Sequence, residues 1–509
     1  MRRRRPGHAQ RLGLEVLREI AERDLVEERG QPVVHLRLLV GARRGGHSPV
    51  LARRDDVERG ARVVPGCGRC RECQRGCCDG DGGEATACQG CSLTLQHRPP
   101  DADSILMPSR LTGVLAALGV VVAAILISIG TGLGVDYPGP SWIGNDAASP
   151  SIEALVAGNL HGFFAQQPMM GSFSLVLRAP FAALASLGGG NLLLEYRLGV
   201  FPCVLALGVL GLAVIRMGSG GRPWTVRALV VGLIMAGPLT FKALTWGHPE
   251  ELLAAALAVG GIMAAPRRPM LAGLMLGLAI ATKQWAWLAV VPALACASER
   301  RFRMVLVAGG AALLWALPMA LGDLHRFADQ MRAAGHTGPG VTPSNVWWPF
   351  ALPAGSTRLG GHMVDQYTVA HTISALAEPL VLGVSLALSA AYWRGRRGRP
   401  ATDALALLAL LLLVRCMLDP LSISYHNAPF AIALASWEGL RRRGVPWVTL
   451  LVSGGILLTA QLGAHPDALN AVYLGWSVPV AAYLAITLFA PRLLERHPAP
   501  ARRVAHAAS

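Results

Sequence analysis

One stretch decides the fold class of this chain, residues 267–321: RRPMLAGLMLGLAIATKQWAWLAVVPALACASERRFRMVLVAGGAALLWALPMAL. It begins with a pair of arginines and holds three apolar runs. Lys283 divides the first run from the second, and an arginine cluster at 300–303 divides the second from the third. Apolar runs between arginine-rich turns are typical of helices that cross a membrane repeatedly. The stretch therefore predicts a multi-pass membrane protein.

The composition of the whole chain supports the same conclusion. Only 15% of its 509 residues are charged and 52% are hydrophobic, whereas a soluble domain carries about 25% charged residues. Soluble enzyme classes are therefore excluded. The sequence predicts twelve apolar runs, at 111–133, 193–216, 225–243, 250–265, 270–282, 284–297, 303–321, 371–393, 402–418, 426–440, 446–463 and 469–490.

Positive charge is concentrated in the turns between these runs. The net charge is +16, and 45 of the 47 basic residues are arginines. A positive excess also occurs in nucleic-acid-binding proteins, but here the arginines lie between apolar runs, where they control topology. We therefore expect the lipid bilayer, and no nucleic acid, as a partner. The arginine bias indicates a GC-rich genome, and hence the inner membrane of a bacterium.

The arginine clusters also predict the topology. If all of them are cytoplasmic, the twelve runs alternate with both termini inside, and the moderately apolar stretch 172–188 does not cross the membrane. The runs at 270–282 and 284–297 are only about 13 residues long, so two half-helices around Lys283 are an alternative. The predicted fold class is an all-α polytopic membrane protein with about 10–13 transmembrane helices and long extracytoplasmic loops.

The first 106 residues differ from the rest of the chain. The spacing Cys67-x-x-Cys70-x-x-Cys73 with Cys88-x-x-Cys91 could supply four thiolates to zinc. The alternatives are translated upstream DNA, with Met107 as the true start, or a disordered cytosolic tail. We expect an Arg/Cys-rich extension at 1–106, a transmembrane domain at 107–497 and a cytoplasmic tail at 498–509. The cysteines inside apolar runs are expected to be buried and free of disulfides: Cys203, Cys296 and Cys416.

Two long loops, 134–171 and 322–370, lie on the face opposite the arginine clusters, and loops of this length usually have a function. The first loop carries Asp136, Asp146 and Glu153. A carboxylate held at a membrane surface can act as a general base, although loop carboxylates more often cap helices or solvate turns. The second loop and its end add His336, Asn345, Trp347, Trp348, Asp365 and His371.

The chain has only two lysines, Lys242 and Lys283, and both end or interrupt apolar runs. An ionisable residue at membrane depth is a functional candidate, so Lys283 could bind a lipid phosphate. The alternative is a lysine that extends along the apolar surface to the membrane interface. Lys242 precedes the polar turn at 246–251, where Glu251 could simply pair with it.

Arg415 lies in an otherwise apolar run and is followed by Asp419-Pro420 and by Tyr425. An arginine in hydrocarbon is costly, so it should meet a carboxylate or a phosphate. Pairing with Asp419 on one helical face is the structural alternative, because the two residues are four positions apart.

The order of these features resembles that of the GT-C glycosyltransferases, in particular the polyprenol-phosphate-mannose-dependent mannosyltransferases of family 87 from actinobacteria. The resemblance covers residues 107–497. It rests on the first-loop pattern Asp146, Ala154-Leu155, Gly158 and Pro168, on the turn Trp246-Gly247-His248-Pro249, on RRPMLAGLMLGLAIATK at 267–283, and on Arg415 with Asp419-Pro420 and Tyr425.

The resemblance implies a GT-C-like helix bundle that transfers a sugar, such as the hexose mannose, on the extracytoplasmic side. The donor would be a polyprenyl-phosphate-linked sugar, and the acceptor a glycan or glycolipid of the cell envelope. Asp146, or failing that Asp136, would be the general base. The resemblance assigns Lys283, Arg415, Lys242, His248 and Tyr425 to the donor phosphate and substrate. It implies no cofactor and no metal ligand, because the activated sugar arrives on a lipid.

Two other function classes remain open at this point. The same helices could form a transporter or flippase of lipid-linked or small polar solutes, or a membrane scaffold without activity. Transporters usually show two related halves with broken helices at matching positions, and this sequence shows no convincing internal repeat. Its polar residues lie mostly in the outer loops, which favours chemistry at the membrane surface.

Overall fold

The structure is a computed structural model that describes residues 109–131, 149–166, 171–218, 221–335, 340–359, 362–395, 400–442, 444–461 and 465–493. The first 106 residues, the tail at 498–509, Asp136, Asp146 and His336 lie outside this part of the chain. Each of the twelve predicted apolar runs coincides with a helix or with two consecutive short helices. The prediction of an all-α polytopic membrane protein is confirmed.

The helices are numbered here in chain order. They are α1 Ser109–Gly130, α2 Ser149–Val156, α3 Leu160–Gln166, α4 Ser172–Ala183, α5 Leu192–Met217, α6 Trp224–Ala236, α7 Pro238–Thr245, α8 Pro249–Ala264, α9 Pro269–Ile280, α10 Val290–Cys296, α11 Arg301–Gly322, α12 Leu324–Gly335, α13 His371–Gly395, α14 Ala401–Leu418, α15 Ala428–Arg441, α16 Trp447–Gln461 and α17 Pro466–Phe489.

Seven helical segments among the described residues are long and apolar enough to cross a membrane: α1, α5, α6 with α7, α11, α13, α14 and α17. Shorter apolar helices lie between them. One of these is α4, whose 12 residues continue directly into a 3₁₀ turn at Leu184–Gly188. Residues 172–188 are therefore helical throughout, and their failure to cross the membrane stays a prediction.

The helical structure breaks at one place inside a predicted run and at one place between two runs. Gly237-Pro238 divides α6 from α7, because proline has no N–H to donate and starts a helix more readily than it continues one. The second break is at Lys283, between the end of α9 and a 3₁₀ turn at Gln284–Ala289 that leads into α10. The structure therefore agrees with the alternative of two half-helices around Lys283.

The helices differ in how deeply they are buried. In the most apolar 18-residue stretch of α14, 61% of the residues are buried, whereas the share is 17% in each of α1, α11 and α13. The centre of the bundle thus consists of α14, its neighbours α8 and α15, and the middle of α5, which packs against α8 and α15. Their Leu, Ala and Val side chains form one continuous core. The exposed apolar faces of α1, α11 and α13 are suited to contact lipid.

The second outer loop contains an antiparallel hairpin that the sequence analysis did not predict. Strand β1, Leu352–Leu359, pairs with β2, His362–Thr368, and a bulge lies between Pro353 and Gly355. Gly355 has φ +111°, a conformation that favours glycine. The sequence of β1, LPAGSTRL, lacks the apolar and polar alternation by which a strand is recognised, so its pairing is set by the fold.

The start of the same loop closes the end of α14. The Val346 N–H donates to the Met417 carbonyl at 3.0 Å, and the Trp347 indole N–H donates to the Leu418 carbonyl at 2.7 Å. Asn345, fully buried, donates to the Pro420 carbonyl at 2.7 Å. These bonds satisfy carbonyls that a helix end leaves without intrahelical partners. We call residues 341–348 the strap, and it fixes the end of the helix that carries Arg415.

Candidate functional site

Polar side chains meet where α7, α8, α9 and α14 end or begin, on the side of the bundle where the strap lies. The buried centre of this cluster is formed by two adjacent carboxylates at the start of α8, Glu250 and Glu251, which are 0% and 2% exposed. Lys283, from the break after α9, reaches both of them. Its Nζ lies 3.1 Å from Glu250 Oε1 and 3.3 Å from Glu251 Oε1.

The remaining contacts of the carboxylates come from an imidazole and an indole. His248 Nδ1 donates to Glu250 Oε1 at 2.9 Å, and Trp285 Nε1 donates to Glu251 Oε2 at 2.6 Å. Buried charges are tolerated when they are paired and hydrogen-bonded in this way. The Glu251–Lys242 pairing considered from the sequence is replaced by pairing of Glu251 with Lys283.

The local sequence explains why the charges gather here. Gly247, with φ +76°, makes the turn that ends α7, and Pro249 occupies the first position of α8. Glu250 and Glu251 then fall in the first turn of the helix, where its dipole favours negative charge. Lys283 lies in extended conformation, φ −147° and ψ 133°, so its side chain leaves the α9 axis and crosses to α8.

Aromatic rings join this cluster to the chain after α14. The His248 ring stacks on Tyr425 with a centroid distance of 4.2 Å and an interplanar angle of 19°. Trp246 lies 6.0 Å from the Tyr425 ring, and Lys242 Nζ lies 5.2 Å from the Trp246 ring centroid. Lys242 is therefore at the edge of the cluster, and its position over the ring is that of a cation–π contact.

Arg415, in the last turn of α14, lies within electrostatic range of His426, as do Lys283 and His248. In the described part of the chain no ion pair joins Arg415 to Asp419, and Arg415 Nη1 is buried without a hydrogen-bond partner. Asp419 Oδ1 instead accepts the N–H of Leu421 at 3.0 Å. The alternative considered from the sequence, an ion pair between Arg415 and Asp419, is therefore not observed in the described residues.

Two titratable groups just beyond α14 respond to this environment. Burial raises the pKa of the Asp419 carboxyl, and the nearby Arg415 and the Leu421 N–H offset only part of that rise. Burial also lowers the pKa of His426, and the positive charges of Arg415 and Lys283 lower it further. His426 is thus neutral at pH 7, and its Nδ1 accepts the N–H of Ile423 at 3.3 Å.

The break at Lys283 is held in place by the start of α4. The Gly171 N–H donates to the Thr282 carbonyl at 3.2 Å, and Ser172 Oγ donates to the Trp315 carbonyl at 2.7 Å. A Cβ atom on Gly171 would overlap the backbone carbonyl of Ala281. Only glycine allows this close approach, so the contact depends on the residue type at position 171.

The structure brings most of the predicted site residues together. Lys283, His248 and Tyr425 are in one network, Arg415 lies beside it, and Lys242 borders it. The general-base candidates Asp146 and Asp136 lie outside the described residues. Other loop candidates have structural contacts: Asn345 and Trp347 belong to the strap, Trp348 donates to Asp467, Asp365 accepts from Ser356, and Glu153 lies in electrostatic range of Glu195.

The sequence analysis gave no role to three residues that the structure places at the centre of this network or near it: Glu250, Trp285 and Arg178. Two of them carried a recognisable signal. Glu250 opens an apolar run, and Arg178 is a lone charge in an apolar stretch, and both are positions where an ionisable residue is costly. Trp285 carried none, because its partner Glu251 is 34 residues away.

The described residues contain no group of three or more His, Cys, Asp or Glu side chains placed to hold a metal ion. Cys203, Cys296 and Cys416 are buried and free, as predicted. The described network thus consists of two buried carboxylates, the cations Lys283 and Arg415, aromatic rings and an imidazole.

Comparison with known proteins gives one match. The family model of glycosyltransferase family 87 matches residues 171–420. The matched segment begins at the glycine that docks against Thr282 and ends just after α14, so it includes His248, Lys283 and Arg415. No curated protein and no solved structure gives a significant match.

Proposed function

The chain belongs to glycosyltransferase family 87, and from that premise we propose that it uses a polyprenyl-phosphate-linked hexose, such as mannose, as its donor. The acceptor is a hydroxyl group of a glycan or glycolipid on the extracytoplasmic side of a bacterial inner membrane. Family membership favours transfer over the transporter and scaffold alternatives, because it makes the chain a membrane glycosyltransferase.

The observation that carries the donor proposal is the guanidinium of Arg415. It is a cation in the last turn of a membrane-length helix, and it has no ion-pair partner among the described residues. A guanidinium in this position gains most from a group with several anionic oxygens, and a phosphate is such a group. The phosphate of a lipid-linked sugar reaches this depth because its polyprenyl chain lies in the bilayer.

Lys283 is suited to assist Arg415. An ammonium group has three N–H donors, and Glu250 and Glu251 engage two of them. One donor remains for a phosphate oxygen, and the lysine side chain is 21% exposed. We assign Lys242 to the outer edge of the same phosphate site, and His248 with Tyr425 to the wall beside the sugar.

The proposed reaction is a single inverting displacement. A first-loop aspartate, Asp146 or otherwise Asp136, removes the proton of the acceptor hydroxyl. At the same time the oxygen of that hydroxyl forms a bond to the anomeric carbon of the sugar. The bond from that carbon to the phosphate oxygen breaks, and polyprenyl phosphate leaves with the bonding electrons. Arg415 and Lys283 stabilise the charge that develops on the phosphate. No nucleotide cofactor is needed, because the sugar is already activated.

The test is transfer of radiolabel from polyprenyl-phosphate-mannose in membranes that contain the full chain. We expect Arg415→Gln and Asp146→Asn each to lower transfer by at least about 100-fold, the size of effect seen when one charge-stabilising or proton-transferring group is removed. Arg394→Gln is the matched control for arginine, because Arg394 lies in the last turn of α13 at a cytoplasmic cluster. Asp365→Asn is the outer-face control for aspartate.

The outcomes separate the parts of the proposal. Transfer that is lost in both site variants and kept in both controls supports the donor, the phosphate site and the base. Full activity of Asp146→Asn would reject Asp146 and direct the test to Asp136→Asn. Full activity of Arg415→Gln would contradict the phosphate site. Absence of transfer by correctly inserted wild type would contradict the mannose donor.

A further inference from the structure

Arg178 is a buried charge for which the proposed reaction has no use. It lies in the middle of α4 and is 1% exposed. Its Nε and Nη1 atoms are buried, and neither has a hydrogen-bond partner among the residues that the structure describes. Its Cζ atom lies 5.9 Å from the ring centroid of Tyr196. An arginine this deep requires a negative charge within reach.

The charge that lacks compensation is on α8. Glu250 and Glu251 carry two negative charges, and Lys283 supplies one positive charge to both. Glu250 Oε2 is buried and has no hydrogen-bond partner in the described part of the chain, while Oε1 already accepts from His248 and Lys283. Arg178 is within electrostatic range of Glu250, and the buried thiol of Cys203 is within electrostatic range of both residues.

We propose that Arg178 is the buried counter-cation of Glu250, and that it acts as a positioning residue which keeps Lys283 and His248 in place for the donor. The two cations Arg178 and Lys283 balance the two carboxylates of Glu250 and Glu251. The guanidinium packs against α5 at Gly199, where a Cβ would lie in van der Waals contact, 3.7 Å from Arg178 Nε. As a statement about the donor, the inference rests on the proposed function.

The local contacts explain how Arg178 could influence residues that it does not touch. Tyr196, under the guanidinium, donates its hydroxyl proton to the Leu244 carbonyl at 2.6 Å, two residues before the turn that carries His248. Glu250 Oε1 then holds both the His248 ring and the Lys283 ammonium. Loss of Arg178 leaves Glu250 with an uncompensated charge, and a shift of that carboxylate moves both of its donors.

The experiment is a double-mutant cycle of Arg178→Gln and Glu250→Gln in the full chain, with Arg178→Lys as the conservative variant. Two quantities are measured for each protein: transfer per folded molecule and the thermal unfolding midpoint. We expect Arg178→Gln to lower transfer about 100-fold, as misplacement of binding groups does. Arg178→Lys should restore most of it. In the Glu250→Gln background, Arg178→Gln should change transfer by less than about twofold, since both act through one carboxylate.

The matched control is Arg222→Gln, another buried arginine, which donates to the Gly439 carbonyl at the opposite end of the bundle. It should lower the midpoint, leave transfer per folded molecule unchanged and combine additively with Glu250→Gln. Multiplicative loss of transfer in the cycle, or failure of Arg178→Lys, would overturn the positioning role.

The thermal unfolding midpoints of the four proteins test the Arg178–Glu250 pair even if no transfer is detected. If wild type shows no transfer, the proposed donor fails, and the unfolding cycle still decides whether Arg178 and Glu250 are coupled. Non-additive midpoints, with the charge-balanced double variant more stable than Arg178→Gln alone, support the pair. Additive midpoints overturn it. If Arg178→Gln does not fold, recovery of folded protein in the double variant gives the same answer.

Discussion

Replacing Gly171 by alanine is the smallest change that should disturb the site. The backbone at position 171 has φ −64° and ψ 145°, which any residue adopts, so alanine introduces no backbone strain there. The added Cβ meets the Ala281 carbonyl, and either α4 or the break at Lys283 must shift. Overpacking of this kind costs about 1–3 kcal/mol, and loss of the Gly171–Thr282 hydrogen bond adds about 1 kcal/mol.

The assay is thermal unfolding of the purified protein, together with transfer per folded molecule. We expect a lower midpoint and a loss of transfer, because Lys283 directly follows the displaced Thr282. Gly309→Ala is the matched control: Gly309 lies within α11, and no atom beyond the neighbouring backbone of its own helix is within 4 Å of its added Cβ. That change should leave the protein equally stable or raise its stability by about 0.5–1 kcal/mol, since alanine favours helices. Equal midpoints and equal transfer for Gly171→Ala and wild type would refute the steric argument.

Four further predictions concern other contacts. Asn345→Leu removes bonds to Thr342, Pro420 and the Trp347 N–H and should destabilise the protein by about 3 kcal/mol, measured by unfolding; an unchanged midpoint would show that the strap is not held through Asn345. Trp285→Phe leaves Glu251 Oε2 without its 2.6 Å donor while it keeps an aromatic ring at this position, and it should lower transfer; wild-type transfer would contradict a role for this bond. Glu438→Gln weakens the bonds to Thr449 and the ion pair with Arg442 far from the site, so stability should fall by about 1–3 kcal/mol while transfer per folded molecule is kept. Asp419→Asn tests the raised pKa of this buried carboxyl: because the carboxyl ionises less readily in the folded than in the unfolded chain, the wild-type protein loses stability as pH rises through the folded pKa. The variant should therefore be more stable than wild type at pH 7, and this difference should disappear near the unfolded pKa of 3.8. A variant that is less stable at pH 7 would mean that Arg415 outweighs burial.

The helices could be predicted from the sequence because the bilayer imposes one requirement on every span. A spanning segment must be apolar and long enough to satisfy its own backbone, so the apolar runs and the helices coincide. The hairpin at 352–368 is not subject to this requirement. Its strands carry no periodic pattern, and their pairing depends on contacts such as Trp348 with Tyr367, which the fold supplies.

The same distinction holds for the site. Lys283 and Arg415 could be singled out because ionisable residues in or beside apolar runs are costly and therefore informative, whereas His248 is assigned only through the family resemblance. Their partners could not be derived. Glu250 meets Lys283 across 33 positions of sequence, and Asn345 meets Pro420 across 75. Contacts between helices that are distant in sequence depend on packing, which one sequence without structure does not reveal.

The way the strap is attached gives a physical reason to prefer transfer over transport. Asn470, on α17, donates to the carbonyls of Pro343 and Asn345 at 2.7 Å each, while the strap itself is bonded to the end of α14. Alternating access requires one group of helices to rock against another around the substrate. Here the strap ties two helices together beside Arg415, and such movement would break several buried hydrogen bonds. A transferase needs the opposite property, because fixed placement of its substrates supplies much of its rate.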